Sequence, residues 1–302
     1  MKAIHVSMLL LLLLMFFPLL QFKKAWAETP SQHVEKKALY FSIVPKKNVA
    51  QQLTELSPLL QLLREELGRP VETIYPQSYH AVIEGILSRT IDIAILGPAS
   101  YAKARLRDNG IDAFASFAAK KGFVTPRGSF YYSVLFTVKD MGYDHINDLK
   151  GKKIAFTDPD STSGSIIPNM AVSKFLGQPL KVFFGAHIYT GSHDRSIQSV
   201  VAKYVDAAFV SSARIDEAIR NGSINRDQVV ILWQSKPIHS DPFVFSSGVD
   251  PELRDRIKRI ILSSPPQLKP MLEKMQMAGI EAVNDEDYRA IHDIVAMQMQ
   301  KP

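Results

Sequence analysis

The sequence predicts an α/β protein with two α/β lobes and a crevice between them where a small ligand would bind. Strand-like and helix-like segments alternate from residue 39 to about residue 120, an order typical of a mainly parallel sheet with crossover helices. A second alternating unit begins near residue 146 and continues to residue 211. The 302 residues are 46% hydrophobic and 22% charged. This is enough for one large domain or for two of about 100–150 residues each.

In the first unit, apolar β-rich segments alternate with segments that carry apolar residues at helical spacing. Gly68 is a typical helix end, and Pro58 predicts a kink or a late start within the helix before it. The predicted strands are 39–45, 71–76, 91–98 and 111–120, and the predicted helices are 48–68, 78–90 and 99–110.

A long strand is predicted over 130–140, and the second unit then starts with a short helix and a strand over 146–156. Next come helix 164–176, strand 182–186, helix 193–203, strand 205–211 and strand-like segments at 229–235 and 242–248. Residues 251–264 and 266–298 are predicted to be helical.

Two crossings of the chain between the lobes are expected, near 130–140 and 236–246. The C-terminal helices then return to lobe 1. Lobe 1 would comprise residues 28–135 and 240–302, and lobe 2 residues 136–239. Small ligands bind in such a crevice near the C-terminal ends of the strands.

Residues 1–27 are typical of a secretory signal peptide that is cleaved on export. Lys2 precedes an apolar run from Met8 to Leu20, and Ala25–Ala27 forms an A-x-A cleavage pattern. The run has 13 residues, fewer than the roughly 20 of a membrane span. A retained anchor is the alternative, supported by the lysine pair after the run. Because the sequence contains no cysteine, no lipid anchor is expected, and we predict a free periplasmic protein.

The charge pattern and the missing motifs argue against nucleic-acid binding and against enzyme activity. The formal charge is +6, but residues 1–27 hold three lysines and no acid, which leaves about +3 for the rest. No basic stripe with interleaved aromatic residues is present, so no nucleic-acid partner is expected. Nucleophile-elbow, phosphate-loop, dinucleotide and zinc-protease motifs are missing, and the eight histidines show no metal-ligand spacing. We therefore expect no catalytic residue, metal or cofactor.

The segment Ser161-Thr162-Ser163-Gly164 lies between a strand that ends at Phe156 and a predicted helix. The first N–H groups of a helix have no intrahelical partner, and the helix dipole adds partial positive charge there. Hydroxyls and a glycine at such a position are typical of a phosphate-type site. Capping is the alternative, because serine and threonine are favoured N-caps without any ligand. Three hydroxyls are more than capping needs.

Two further features are expected to face the same crevice. His193, in Gly191-Ser192-His193-Asp194, precedes another predicted helix and either donates to an anion or lies in its first turn as an exposed or capping residue. Tyr79 and Tyr101 each follow the end of a predicted strand, which places them at the sheet edge that lines a crevice. Partly buried packing is the alternative for both tyrosines.

Taken together, these segments resemble the PhnD family, the periplasmic binding proteins of phosphonate, phosphite and phosphate ABC transporters. The resemblance rests on IDIAILGPASY (91–101), DPDSTSGSIIP (158–168), GSHDRSIQSVVAKYVDAAFV (191–210) and ILWQSKPIHSDPFVF (231–245). It covers essentially the whole chain after the predicted signal peptide, in the same order. It implies the type II periplasmic-binding-protein fold, in which two α/β lobes close on a ligand.

The resemblance also implies roles for individual residues. Ser161, Thr162 and Ser163 match hydroxyls that hold phosphonate oxygens, and His193 matches a histidine at the same oxyanion. The other implied ligand-binding positions are Tyr79, Tyr131 and Asp241. Around Asp241 the sequence departs from the I-P-x-D-P of the family, because it reads I-H-S-D-P.

Two departures bear on the ligand. Family members that bind 2-aminoethylphosphonate place a carboxylate where this sequence has Ala213, and Asp216 and Glu217 nearby are expected to point elsewhere. Tyr101 adds bulk where those members have a small residue, which places it among the expected ligand contacts. Both departures imply a smaller ligand without an amine: phosphite, phosphate or a short alkylphosphonate.

The expected function is that of a periplasmic solute-binding protein, with no cofactor. It would capture this oxyanion between its lobes and deliver it to an ABC permease in the inner membrane, acting as a monomer. The alternative is a periplasmic sensing protein that presents the bound oxyanion to a membrane receptor or kinase. A secreted enzyme is disfavoured by the missing motifs.

Overall fold

The structure is a computed structural model that describes residues 37–300. It contains two separate central sheets, which confirms the predicted α/β class with two lobes. The predicted signal peptide at residues 1–27 lies outside the described residues. Within 37–300, no helix combines the length and the apolar character that crossing a membrane requires.

The described strands and helices follow the alternating order that the sequence predicts. The strands are β1 Leu39–Ile43, β2 Val71–Thr73, β3 Ile93–Ile95, β4 Asp112–Ala119, β5 Phe130–Tyr131, β6 Ser133–Val138, β7 Lys153–Phe156, β8 Ala186–Tyr189, β9 Ala207–Ser211, β10 Val229–Gln234, β11 Ile238–His239, β12 Pro242–Phe245 and β13 Met277–Ala282. The α-helices are α1 Val49–Glu55, α2 Ser57–Leu67, α3 Tyr79–Leu87, α4 Pro98–Arg107, α5 Ser173–Leu176, α6 Leu180–Phe183, α7 His193–Val201, α8 Ser212–Arg220, α9 Pro251–Leu262, α10 Lys269–Lys274 and α11 Arg289–Met299. Two π-helical turns, Thr162–Ile166 and Pro168–Val172, lead into α5.

The first lobe is built on a six-stranded sheet with the order β13-β4-β12-β3-β1-β2. Strands β2, β1 and β3 are parallel. Strand β12 lies between β3 and β4 and is antiparallel to both, and β13 is antiparallel to β4 at the edge. Because β12 and β13 come late in the sequence, the chain returns to the first lobe after visiting the second.

The second lobe is built on a five-stranded sheet with the order β10-β6-β9-β7-β8. Strand β7 is parallel to β8 and β9, whereas β6 is antiparallel to β9 and β10. The two segments that connect the sheets pair with each other as β5 and β11, with Tyr131 opposite Ile238. The lobe limits expected from the sequence, 28–135 plus 240–302 and 136–239, stay a prediction.

The first sheet is buried on both faces, as β3 illustrates. Ile93 and Ile95 belong to the apolar cluster that contains Leu59 of α2, whereas Ala94 belongs to the cluster that contains Val82 of α3. Successive side chains of a strand point to opposite faces, so helices must cover both faces of this sheet. Hydrophobic core therefore covers both faces of this sheet, so a ligand site is expected at the ends of the strands.

Several predicted elements differ from the structure; among them, the strand predicted over 130–140 is two strands, β5 and β6, in different sheets. The helix predicted over 48–68 is two helices, α1 and α2, and Pro58 lies in the first turn of α2, where a missing N–H costs no helical hydrogen bond. The strand predicted over 182–186 begins as the helix α6, and the strand follows as β8, because a short apolar run fits either structure. The region predicted as helical over 266–298 contains β13, which pairs with β4 along the edge of the sheet.

Candidate functional site

A cavity of about 350 Å³ lies between the two lobes. The predicted ligand-binding residues that line it are Tyr79, Tyr131, Ser161, Thr162, Ser163, His193 and Asp241. Their elements come from both sheets and from the connecting segments. The structure therefore brings together residues that lie more than 160 positions apart in the sequence.

Ser161 is the N-cap of the helical segment after β7. Its Oγ accepts a hydrogen bond from the Gly164 backbone N–H at 3.1 Å. Capping thus uses one of the three hydroxyls. Thr162 and Ser163 open the helical segment, where the first N–H groups have no intrahelical acceptor, and both side chains are buried. The arrangement supplies hydroxyl and N–H donors beyond those that capping consumes.

The π-helical turns after Ser161 have a cause in the sequence. Pro168 has no N–H, so the Gly164 carbonyl lacks the donor that an α-helix would supply four residues later. That carbonyl accepts instead from the Thr157 N–H at 3.1 Å. The Ser163 carbonyl accepts from the Ser133 hydroxyl at 2.6 Å. The helix start is therefore fixed to strand β7 and to strand β6 by hydrogen bonds from outside the helix.

Gly164 permits this close approach. A Cβ added to Gly164 would clash with the Thr157 side chain and would lie 2.9 Å from the Ser161 Oγ. A side chain at this position is therefore incompatible with the contact between the helix start and β7.

His193 opens α7 behind the N-cap Ser192 and is buried, with 3% of its surface exposed. Its Nδ1 accepts from the Ser211 backbone N–H at 3.2 Å and lies 3.0 Å from the Thr157 Oγ1. A backbone N–H can only donate, so Nδ1 carries no proton and Nε2 carries one. The Nε2 atom lies 3.5 Å from the Ser161 Oγ.

The pKa of His193 is held well below its ordinary value, first by burial and then by the positive charges of Arg214 and Lys46. The neutral ring therefore presents an Nε2–H donor beside the Ser161 hydroxyl.

Tyr79 and Tyr131 supply two phenols to the same end of the cavity. The pKa of each is raised well above the ordinary value, first by burial and then by the negative charge of Asp241. Both phenols stay protonated and can donate. Among residues 37–300 the buried Tyr79 hydroxyl has no hydrogen-bond partner, and such a group needs one.

The structure corrects the expectation for Tyr101, which does not line the cavity. Tyr101 is fully buried, its hydroxyl donates to the Asp285 Oδ1 at 2.6 Å, and its ring packs edge-on against Tyr288. Successive residues of a helix differ by about 100° in direction. The preceding residues therefore face the second lobe instead: the Ala99 N–H donates to the Thr162 Oγ1 at 2.9 Å, and the Ser100 hydroxyl donates to a carbonyl of that lobe.

The carboxylates on the cavity wall are all paired. Asp216 and Glu217 line the cavity together with Ala213, contrary to the expectation that the two acids point elsewhere. Asp216 accepts from the backbone N–H groups of Val124 and Thr125 at 2.9 and 2.8 Å.

Two adjacent lysines, which the sequence analysis did not single out, pair with the remaining acids. Lys46 Nζ lies 2.9 Å from the Asp241 Oδ2. Lys47 Nζ lies 2.6 Å from Glu55 and 2.6 Å from Glu217. The only signal in the sequence was the lysine pair directly after the first strand.

The arrangement is suited to binding a small oxyanion. Hydroxyls, helix-start N–H groups, two phenols and a neutral imidazole N–H converge, and hydrogen bonds to an ionised acceptor are the strong ones. In the part of the chain that the structure describes, no group of three His, Cys, Asp or Glu side chains is placed to hold a metal ion.

Comparisons with known proteins agree with this chemistry. Residues 41–288 match the family model described as the periplasmic substrate-binding protein of a phosphonate ABC transporter. The phosphonates-binding periplasmic protein of Escherichia coli K12 is 27% identical over 257 residues, covering 83% of this chain and 74% of that protein. The phosphate-import protein PhnD of Mycolicibacterium smegmatis is 25% identical, covering 71% and 68%. A binding protein component of an ABC phosphonate transporter from Pseudomonas aeruginosa has the same fold, with a TM-score of 0.78, 20% identity and coverage of 87% and 86%.

Proposed function

The chain belongs to the family of periplasmic substrate-binding proteins of phosphonate ABC transporters, and from this premise we propose which ligand it captures and how. It is a binding protein of a transporter and not an enzyme. The proposed ligand is phosphite, phosphate or a short alkylphosphonate, held between the lobes and delivered to an ABC permease in the inner membrane. The observation that carries the proposal is the convergence of donors at one end of a cavity where every carboxylate is already paired.

The proposed role of each site residue follows from the donor or acceptor group that it carries. Ser161, Thr162 and Ser163 would bind the phosphorus oxygens through hydroxyl and backbone N–H groups. His193 would donate from Nε2, and Tyr79 and Tyr131 from their phenols. A carboxylate repels an oxyanion, so Asp241 would act indirectly by holding Lys46 in place.

Isothermal titration calorimetry against phosphite, phosphate and methylphosphonate tests the proposal. We expect binding of at least one of them, with sulfate as the control anion of similar size. If none of the three phosphorus oxyanions binds, the ligand class is wrong.

The proposed output is delivery to a transporter. The family description names an ABC transporter and one relative is named a phosphate-import protein, so the sensing alternative is not favoured. The monomeric state stays a prediction. Size-exclusion chromatography with light scattering checks it.

A pH dependence of stability follows from His193. Its pKa in the folded protein lies well below the ordinary 6.5, so below pH 6.5 the unfolded chain binds a proton that the folded chain does not. This contribution to stability is fully present above pH 6.5 and is lost as the pH falls. We expect a loss at pH 5.5 of at most about 1.4 kcal/mol from this group.

Urea unfolding at pH 7.5 and pH 5.5 measures the effect. His193→Gln cannot take up a proton and should lose less stability between the two pH values than the wild type. The exposed His187 provides the control: His187→Gln should keep the wild-type pH dependence. Equal pH dependence in wild type and His193→Gln would contradict a buried neutral His193.

A further inference from the structure

We infer that Lys46 and Lys47 determine the charge selectivity of the cavity, because their ammonium groups already occupy the carboxylates that a cationic ligand would need. The inference rests on the proposed function and narrows it. The ligand would be a phosphorus oxyanion whose remaining part is neutral or anionic, and zwitterionic aminophosphonates would be rejected.

The first support is the pairing of every acid on the cavity wall. Glu55, Asp216, Glu217 and Asp241 line the cavity, and each accepts from a lysine or a backbone N–H within residues 37–300. A ligand ammonium would have to displace one of these donors. Displacing a protein cation that is already in contact leaves that cation without a partner.

The second support is the position of Lys46. Its backbone carbonyl accepts from the N–H of Asp194, the residue after His193, at 3.4 Å. Its charge lowers the pKa of His193, and its partner Asp241 raises the pKa values of Tyr79 and Tyr131. The Lys46–Asp241 pair therefore lies at the oxyanion end of the cavity. A short ligand tail that extends from the phosphorus atom would meet the ammonium of Lys46 before it met a free carboxylate.

The third support is the burial of Lys47. Its side chain is only 4% exposed and bridges Glu55 of α1 to Glu217 of α8, across the two lobes. Glu217 is also paired with Arg214, which in turn lies 2.6 Å from Asp194. Buried charge pairs are costly to separate, so this network is not available to a ligand cation.

The fourth support is a surplus of positive charge. Lys120, Lys121, Arg220 and Lys274 also line the cavity, and none of them has a carboxylate within ion-pair distance among the described residues. A cavity with a positive field favours anions and opposes cations.

The volume of about 350 Å³ exceeds what a five-atom oxyanion fills, since a liquid water occupies about 30 Å³. A larger organic group has room, provided that it is not cationic.

Calorimetry with ligands of equal shape tests the inference. Propylphosphonate and 2-aminoethylphosphonate differ in a terminal methyl or ammonium group, and phosphonoacetate carries a carboxylate there. We expect the wild type to prefer propylphosphonate over 2-aminoethylphosphonate by about 30-fold or more, and to bind phosphonoacetate at least as well as propylphosphonate.

Lys46→Met should change this preference without unfolding the protein, since the Lys46 side chain is partly exposed. The variant frees Asp241 for a ligand ammonium. The preference for propylphosphonate over 2-aminoethylphosphonate should therefore fall by about 10-fold or more. Adding Asp241→Asn to Lys46→Met should restore it. Lys46→Arg, which keeps the charge, should retain the wild-type preference.

Lys120→Met is the matched control, because it also removes one positive charge from the cavity wall but frees no carboxylate. An equal fall in preference in Lys120→Met and Lys46→Met would overturn the role of the Lys46–Asp241 pair. Equal wild-type affinities for propylphosphonate and 2-aminoethylphosphonate would overturn the inference while leaving the proposed function intact. A wild type that binds no phosphorus oxyanion at all would contradict the proposed function itself.

Discussion

Replacing Thr162 by valine together with Ser163 by alanine is expected to weaken the binding of methylphosphonate or phosphate by about 100-fold or more. Each hydroxyl would donate to an ionised oxygen, and such a hydrogen bond contributes about 1.5–3 kcal/mol. The loss of two gives the expected factor. Both residues are buried on the cavity wall and neither is the cap of the helix, so each lobe should keep its fold, although valine at 162 also removes the acceptor of the Ala99 N–H.

Calorimetry measures the affinities, and circular dichroism checks the fold. Ser165→Ala is the matched control: Ser165 is buried two residues further along the same helical segment, but it does not line the cavity. It should bind as the wild type does. If the double variant binds within about threefold of the wild type, a difference of less than 0.7 kcal/mol, the hydroxyls do not recognise the ligand.

Gly164→Ala is expected to have the second large effect, on stability and on binding together. The added Cβ would clash with the Thr157 side chain and approach the Ser161 Oγ. Overpacking of this kind costs about 1–3 kcal/mol of unfolding free energy. Thr157 also contacts His193, and Ser161 caps the helix, so the displacement should disturb both donors and lower the affinity.

Urea unfolding and calorimetry on the same preparation test this pair of effects. Gly279→Ala in β13 is the control, because its added Cβ would meet no atom within 4 Å and its backbone is not left-handed. That variant should be as stable as the wild type or slightly more stable. Wild-type stability in Gly164→Ala would show that the helix start can move away from β7 at little cost.

Residues proposed to bind the ligand also form contacts between the two lobes. Thr162 of the second lobe accepts from the Ala99 N–H of the first, and Asp160 beside it pairs with Lys103. Lys47 joins the lobes at another point through Glu217. A ligand held by Ser161–Ser163 would therefore be bound by groups that also hold the lobes together, which would couple ligand binding to these contacts.

Features that depend on neighbouring residues were predictable from the sequence. A strand ends at Phe156 and α7 begins at His193, as the local patterns indicate, whereas the helical segment predicted from residue 164 begins at Thr162 behind the cap Ser161. Caps and helix starts depend on side chains within a few residues of each other, so a short stretch of sequence contains the information. The choice between capping and spare donors was left open, and the structure assigns the cap to one hydroxyl.

Features that depend on distant residues were decided by the tertiary structure. Tyr101 follows a strand end as Tyr79 does, but Tyr79 is the first residue of α3 whereas Tyr101 is the fourth residue of α4, and its hydroxyl donates to Asp285 away from the cavity. The pairing of Lys46 with Asp241 joins residues 195 positions apart, and no local pattern indicates it.

The sequence by itself determined that this protein has two α/β lobes and a hydroxyl-rich helix start suited to an oxyanion. Only the tertiary structure decided which charges of the cavity remain free. The reason is physical: local hydrogen bonds and hydrophobic periodicity fix elements, whereas the partner of a charged side chain is fixed by how the elements pack.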